Sequence, residues 1–470
     1  MFRSEEKHRR QGRDIHIHPA RRGRGSGRKR RKELKKVGLI SLGCAKNRVD
    51  AERILGGLVA RGFEIAEDPA EAEVVIVNTC GFIRDAVEES VEEILLAAKL
   101  KIEGNCKILA VSGCLYKRYP EMKEELSEVD FFFTPEEIDK IPETLCGSKG
   151  AVTSTVHPAR LLTAPPHSVY LKIAEGCSNR CTFCTIPIIR GDFHSFPPAK
   201  LLEEARWLAG QGAVEVNLIA QDTTSYGLEI GRQGELVKLL KELSAIDGIE
   251  WIRLLYAYPR ALPDELLELL AEPNKILPYI DAPIQHAHPR ILKAMGRKVT
   301  AGETAEFFKR LKKQVPGIVL RTTAIVGFPG ETEMEFEELL RFVEEVRFHH
   351  LGAFVYSPEE GTAAEKMKDQ IDPETAWERH DTLMKLQAEL SYERNLDFVG
   401  RELPVLVEGI DEEGEVVGRT YGQAPEVDGI TRLRDYGDRI IEVGSFVKAK
   451  IVEAEPYDLV AEVLWPDENG

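Results

Sequence analysis

Six strand-like segments recur in the middle of this sequence, at 169–174, 214–219, 251–256, 279–282, 318–326 and 353–356, and each is followed by a helix-like stretch. Strand–helix–strand alternation returns every strand in the same direction, so the segments must pair as a parallel sheet. Six units fall short of the eight that close a full barrel. The expected core is therefore an open, partial (β/α)6 barrel over about 163–390, with its chemistry at the C-terminal ends of the strands.

Two further blocks differ in pattern. Over 37–150, apolar strands at 37–41, 74–77, 108–112 and 130–133 alternate with helical runs such as 49–61 and 84–99. That pattern predicts a doubly wound parallel α/β domain covered on both faces. Over 396–466, strands at 403–408, 415–420, 446–454 and 459–464 are separated by Gly/Pro/Asp turns, with no convincing helix, as in a small antiparallel β-barrel. At 470 residues the chain is too long for one hydrophobic core. No apolar run is long enough to span a membrane and no secretory leader opens the chain, so a cytoplasmic setting is expected.

Charge is distributed unevenly. Residues 1–36 carry fifteen Lys/Arg against four Asp/Glu, a balance of +11 within a chain of net −16, which leaves −27 for the rest. This Gly-rich arm, with almost no apolar residues, is expected to be disordered. It could contact ribosomal RNA; a solvated tail, or an upstream start that is not used, is the plain alternative.

Eight cysteines in a large chain of this setting argue for metal binding or catalysis rather than disulfides. Cys177, Cys181 and Cys184 have the spacing C-x-x-x-C-x-x-C just after the first strand of the central block. Three thiolates on one loop can ligate three irons of a 4Fe–4S cluster and leave the fourth open. A zinc site normally closes with a fourth Cys or His, and none lies near in sequence. Cys44, Cys80 and Cys114 each follow a strand of the first block, and the ends of parallel strands share one edge. A lone Cys there is more often a small buried hydrophobe, but these three all sit beside a glycine. Cys106 and Cys146 read as ordinary thiols.

The triplet with Phe183 before its third cysteine resembles the radical S-adenosylmethionine (SAM) superfamily signature. Ala324-Ile325-Val326-Gly327-Phe328-Pro329-Gly330-Glu331 resembles the glycine-rich SAM-contacting segment of that superfamily, which implies roles for Gly327, Pro329 and Gly330. With Ser41-Leu42-Gly43-Cys44-Ala45-Lys46-Asn47-Arg48-Val49-Asp50, Asn78-Thr79-Cys80-Gly81-Phe82 and Ser112-Gly113-Cys114, the chain beyond residue 36 resembles the methylthiotransferase family. The resemblance implies a second 4Fe–4S cluster on Cys44, Cys80 and Cys114, and a C-terminal TRAM barrel. It also implies one SAM as methyl source and another as source of a deoxyadenosyl radical, with a reductant such as flavodoxin or ferredoxin.

Within that family the opening motif resembles the branch that modifies an aspartate of a small-subunit ribosomal protein (protein twelve), although Ala45 stands where that branch has proline. So do Asn217-Leu218-Ile219-Ala220-Gln221-Asp222-Thr223-Thr224-Ser225-Tyr226-Gly227, Gly418-Arg419-Thr420 and Ala424-Pro425-Glu426-Val427-Asp428-Gly429. From residue 396 onward eighteen Asp/Glu face seven Lys/Arg, a balance of −11. An acidic barrel suits a basic protein partner better than phosphates, although acidity also serves solubility. Gln221 and Asp222, Asp281, Gln285, His286 and Arg321 lie near strand ends and are candidates for contacting SAM or the substrate aspartate. His286 and His288 read more readily as loop residues. A transfer-RNA methylthiotransferase, a radical enzyme with an electron-relaying second cluster, and a non-catalytic ribosome-binding factor with a structural metal are the competing readings.

Overall fold

The computed structural model describes residues 35–146 and 160–465, apart from 261 and 438. Apart from Lys35 and Lys36, the basic arm lies outside the described residues. They divide into two compact units: one runs to Pro165 and includes Thr185–Asp192, and the other comprises Pro166–Cys184 and everything from Phe193 onward. Among the described residues no helix is long and apolar enough to cross a membrane.

The first unit is a five-stranded parallel sheet of β1 (Lys36–Ser41), β2 (Glu64–Ile65), β3 (Val74–Thr79), β4 (Ile108–Gly113) and β5 (Phe131–Phe133), in the order β2-β1-β3-β4-β5. Every residue of the central β3 is buried. Val74 and Ile76 pack with Val37, Leu39, Ile54 and Leu58 on one face, while Val75 and Val77 pack with Leu109, Val111 and Ile94 on the other. The period-two alternation of an extended chain thus feeds two cores, which is what a doubly covered sheet requires. Helices Ala45–Val59 and Arg84–Glu103 supply those faces.

The second unit holds β6 (Ser168–Lys172), β7 (Glu215–Ile219), β8 (Trp251–Leu254), β9 (Ile276–Asp281), β10 (Val319–Val326) and β11 (His350–Val355), paired in sequence order as one open parallel sheet. Helices between them start on strong caps, with capping boxes at Thr300/Glu303 and Thr332/Glu335. The 24-residue helix Pro373–Leu396 then leads to a closed five-stranded barrel. Its strands are β12 (Glu402–Ile410), β13 (Val416–Arg419), β14 (Thr431–Arg434), β15 (Phe446–Ala454) and β16 (Leu459–Val463). Four neighbour pairs are antiparallel, and β14 pairs with β16 in parallel. The sequence pattern misses β14 because it is four residues long inside a charged stretch.

A buried polar clasp joins this barrel to the sheet within the second unit. Arg419, fully buried, donates to Glu215 at 2.5 Å, and Arg253 donates to Glu215 at 3.0 Å and to the Tyr421 carbonyl at 2.7 Å. Asp428 accepts from the Tyr279 hydroxyl at 2.6 Å and from Arg321 Nε at 3.2 Å.

Candidate functional site

In the first unit Cys44 precedes helix Ala45–Val59 as its N-cap, Cys80 directly follows β3, and Cys114 begins a one-turn helix, Cys114–Arg118, directly after β4. The parallel sheet therefore delivers all three cysteines to one edge. Glycines let the loops close in: Gly43 sits at φ +89°, and a Cβ there would come within 2.9 Å of the Cys80 Cβ. A Cβ on Gly113 (φ +103°) would strike the Thr79 carbonyl, and one on Gly81 the backbone of Leu115. Asn47 then ties two of the strand ends together. Its amide donates to the carbonyls of Leu42 at 2.9 Å and Thr79 at 2.8 Å.

Cys44 is exposed, whereas Cys80 and Cys114 are buried. Burial, with the neighbouring Cys114 and Cys44, pushes the Cys80 thiol up to about 12. Burial also raises Cys114, against the pull of Arg190. Although Cys44 is the exposed member, the surrounding protein still desolvates its sulfur; Lys46, the Asn47 amide and Arg190 outweigh that and hold the thiol below its ordinary range. Metal entry at this edge must therefore displace protons.

In the second unit the Cys177–Cys181–Cys184 loop follows β6 through Gly176 at φ +77°. All three cysteines are part-exposed. The loop is held along its length. Thr182 donates from its amide to the Met295 carbonyl at 2.9 Å and from its hydroxyl to the Ala294 carbonyl at 2.8 Å. Asn179 donates to Asp222 at 2.9 Å, and Arg260 grips the same carboxylate at 2.5 Å. Phe183 packs on Ile291, Met295, Phe328 and Ala364.

Among the described residues, the only trio of His, Cys, Asp or Glu ligand atoms within 4.8 Å of one another is Asp411, Glu413 and Glu415 on an acidic turn. A tetrahedral zinc site with bonds of about 2.3 Å would draw its sulfurs to roughly 3.8 Å. Neither cysteine triplet has that single-ion spacing, which argues against the zinc reading. Thiolates spread over one rim or one loop suit a multi-iron cluster.

The glycine-rich turn is fixed from below. Gly327 (φ +71°) donates its amide to Glu331 at 2.5 Å, and a Cβ there would collide with Ala376. Glu331 is in turn held by His286 at 3.0 Å and Arg379 at 2.9 Å, all three side chains buried. His286 is thus a clamp on this turn, and His288 caps the helix Pro289–Ala294. Gly330 (φ +77°) follows Pro329 and donates to the Asp369 carbonyl. Gln221 donates to Glu175 at 2.8 Å, and its carbonyl oxygen and that of Gln285 are buried with no hydrogen-bond partner among the described residues. Arg321 is engaged elsewhere: it bridges Asp281 and Asp428, the latter in the C-terminal barrel. Asp281 also accepts from the amide of Tyr256.

One residue at the first triplet escaped the sequence reading. Arg190, in the Thr185–Asp192 segment, reaches Asp50, Asn47 and Cys114. No spacing rule links residues 140 positions apart; only the unlikeliness of a buried arginine without a partner could have flagged it.

Three family descriptions match the chain: Radical SAM superfamily over 171–343, Uncharacterized protein family UPF0004 over 36–134, and TRAM domain over 399–464. A relative from Geotalea uraniireducens, named ribosomal protein uS12 methylthiotransferase RimO, is 43% identical over 91% of this chain and 98% of its own length. One of the same name from an Anaeromyxobacter species (strain Fw109-5) is 46% identical, over 92% of this chain and 94% of its own. Among solved structures, the radical S-adenosylmethionine methyltransferase TsrM from Kitasatospora setae superposes with a TM-score of 0.51 at 15% identity, covering 76% of this chain and 89% of its own, and so speaks for the fold alone.

Proposed function

Since the chain belongs to the RimO family of ribosomal protein uS12 methylthiotransferases, we propose that it methylthiolates the β-carbon of an aspartate in uS12, using two 4Fe–4S clusters and two molecules of SAM. The observation that carries this reading is the pair of cysteine triplets, each on the rim where its own parallel sheet places chemistry. Cys177, Cys181 and Cys184 hold one cluster on a loop braced by Thr182, Asn179 and Phe183. Cys44, Cys80 and Cys114 hold the other. When bound, the first cluster with SAM supplies a hydrogen-abstracting radical and the second presents the sulfur.

Phe183 buttresses the loop, while the turn Gly327-Phe328-Pro329-Gly330 offers backbone groups for close approach to SAM. The unsatisfied acceptor of Gln221 suits a donor on that ligand. Arg321 acts through Asp281, holding the loop after β8 in place. The four-part organisation at 1–36, 37–150, 163–390 and 396–466 divides the work: the α/β domain delivers sulfur, the core makes the radical, and the acidic barrel docks the basic substrate protein. A flavodoxin or ferredoxin supplies electrons, and the basic arm contacts ribosomal RNA.

The test is anaerobic reconstitution of the full chain with a peptide spanning the uS12 target loop. A methylthio mass gain is expected, with about eight irons per chain and about four after Ala replaces either cysteine triplet. In a deletion strain, restoration of the gene that modifies transfer RNA and leaves uS12 unmodified overturns the assignment.

A further inference from the structure

The guanidinium of Arg190 stands between a carboxylate and a cluster ligand. Nη1 donates to Asp50 Oδ2 at 2.8 Å, while Nη2 donates to Asn47 Oδ1 at 2.6 Å and to Cys114 Sγ at 3.2 Å. The Arg190 side chain is 3% exposed and that of Asp50 2%. Its segment is seated beside the Cys80 loop, where the Thr185 hydroxyl donates to the Phe82 carbonyl at 3.0 Å.

Asp50 alone would neutralise the arginine, so charge pairing does not require the contact with sulfur. The planar fork instead uses one nitrogen for the carboxylate and the other for two acceptors at the triplet, a division that a lysine cannot reproduce. Asn47 extends the pattern, since its amide reaches the carbonyls before Cys44 and Cys80. Arg190 and Asn47 together lace all three cysteine-bearing strand ends.

We propose that Arg190 is a positioning residue for the sulfur-delivering cluster: it donates a charge-assisted hydrogen bond to the Cys114 thiolate and sets that cluster's reduction potential. Hydrogen bonds to ligand sulfurs and nearby positive charge stabilise the more negative, reduced state of an iron–sulfur cluster. Removing both lowers the potential and weakens the cluster's hold on the sulfur it presents. This rests on the reading that Cys44, Cys80 and Cys114 carry a cluster.

The experiment uses the full chain with Cys177, Cys181 and Cys184 replaced by Ala, so that only the second cluster is titrated. Because Arg190→Met strands Asp50 as a buried charge, the charge-free pair R190M/D50N is compared with R190K. Iron analysis comes first: absence of iron from the parent disproves the cluster itself. With iron present, the expected result is a more negative midpoint potential and an altered reduced-state EPR spectrum in R190M/D50N, partly restored in R190K. With Cys177, Cys181 and Cys184 intact, the ratio of 5′-deoxyadenosine to methylthiolated product should rise about 10–100-fold in R190M/D50N. Parental potential and spectrum in both variants would overturn the proposal while leaving the cluster reading intact.

Discussion

A single methyl group tests how the first cysteine triplet is assembled. Gly43→Ala places a Cβ within 2.9 Å of Cys80 at a backbone φ of +89°, so the loop carrying Cys44 must retreat. The expected cost exceeds about 1 kcal/mol, because alanine is strained where φ is positive. Loss of roughly half the iron, with SAM cleavage retained, is the outcome to measure; full iron retention would contradict the close approach. The cysteines themselves were legible, because three strand ends of a parallel sheet must share an edge. The residues around them were only half legible. Asn47 and Asp50 lie inside the opening motif, but their hydrogen-bond roles depend on Arg190, which is remote in sequence and carries no periodic signal. The same blindness affects Arg321, which the sequence offers as a ligand-contacting group. In the structure it is tied to Asp281 and Asp428.

Strands and their connections obey simpler rules. The six β/α units and the four main strands of the first domain emerge from alternation and apolar runs. The short strands Glu64–Ile65 and Thr431–Arg434 do not, because a few residues give no period to detect. Segment 418–429, which reads as a branch signature, also builds the clasp between barrel and sheet. Glu215 anchors it, and despite burial Arg419 and Arg253 hold its carboxyl down to about 2. An unfolded glutamate titrates near 4.3. The stabilisation is therefore complete above that pH and drains away as pH falls toward 2, by about 3 kcal/mol in all. Glu215→Gln leaves two buried guanidiniums short of a partner and should cost about 3–5 kcal/mol at neutral pH. Denaturant melts from pH 7 to pH 2.5 would show a flatter acid limb in the variant; parallel curves would exclude this role for Glu215.

For the molecule as a whole, the informative quantity is the sign of its charge by region. The balance of −11 beyond residue 396 predicts that the KM for intact uS12 rises steeply with ionic strength, while that for a short loop peptide changes little. Equal salt dependence for both would remove the barrel from substrate docking. The clasp bears on this in another way. Arg419, Tyr421 and Asp428 belong to the C-terminal segment, yet their partners Glu215, Arg253, Tyr279 and Arg321 belong to the sheet. The barrel is therefore not a portable cassette. Grafting it onto a related enzyme means transplanting both halves of a matched set, so substrate preference in this lineage can drift on the outer face of the barrel far more freely than whole barrels can be exchanged.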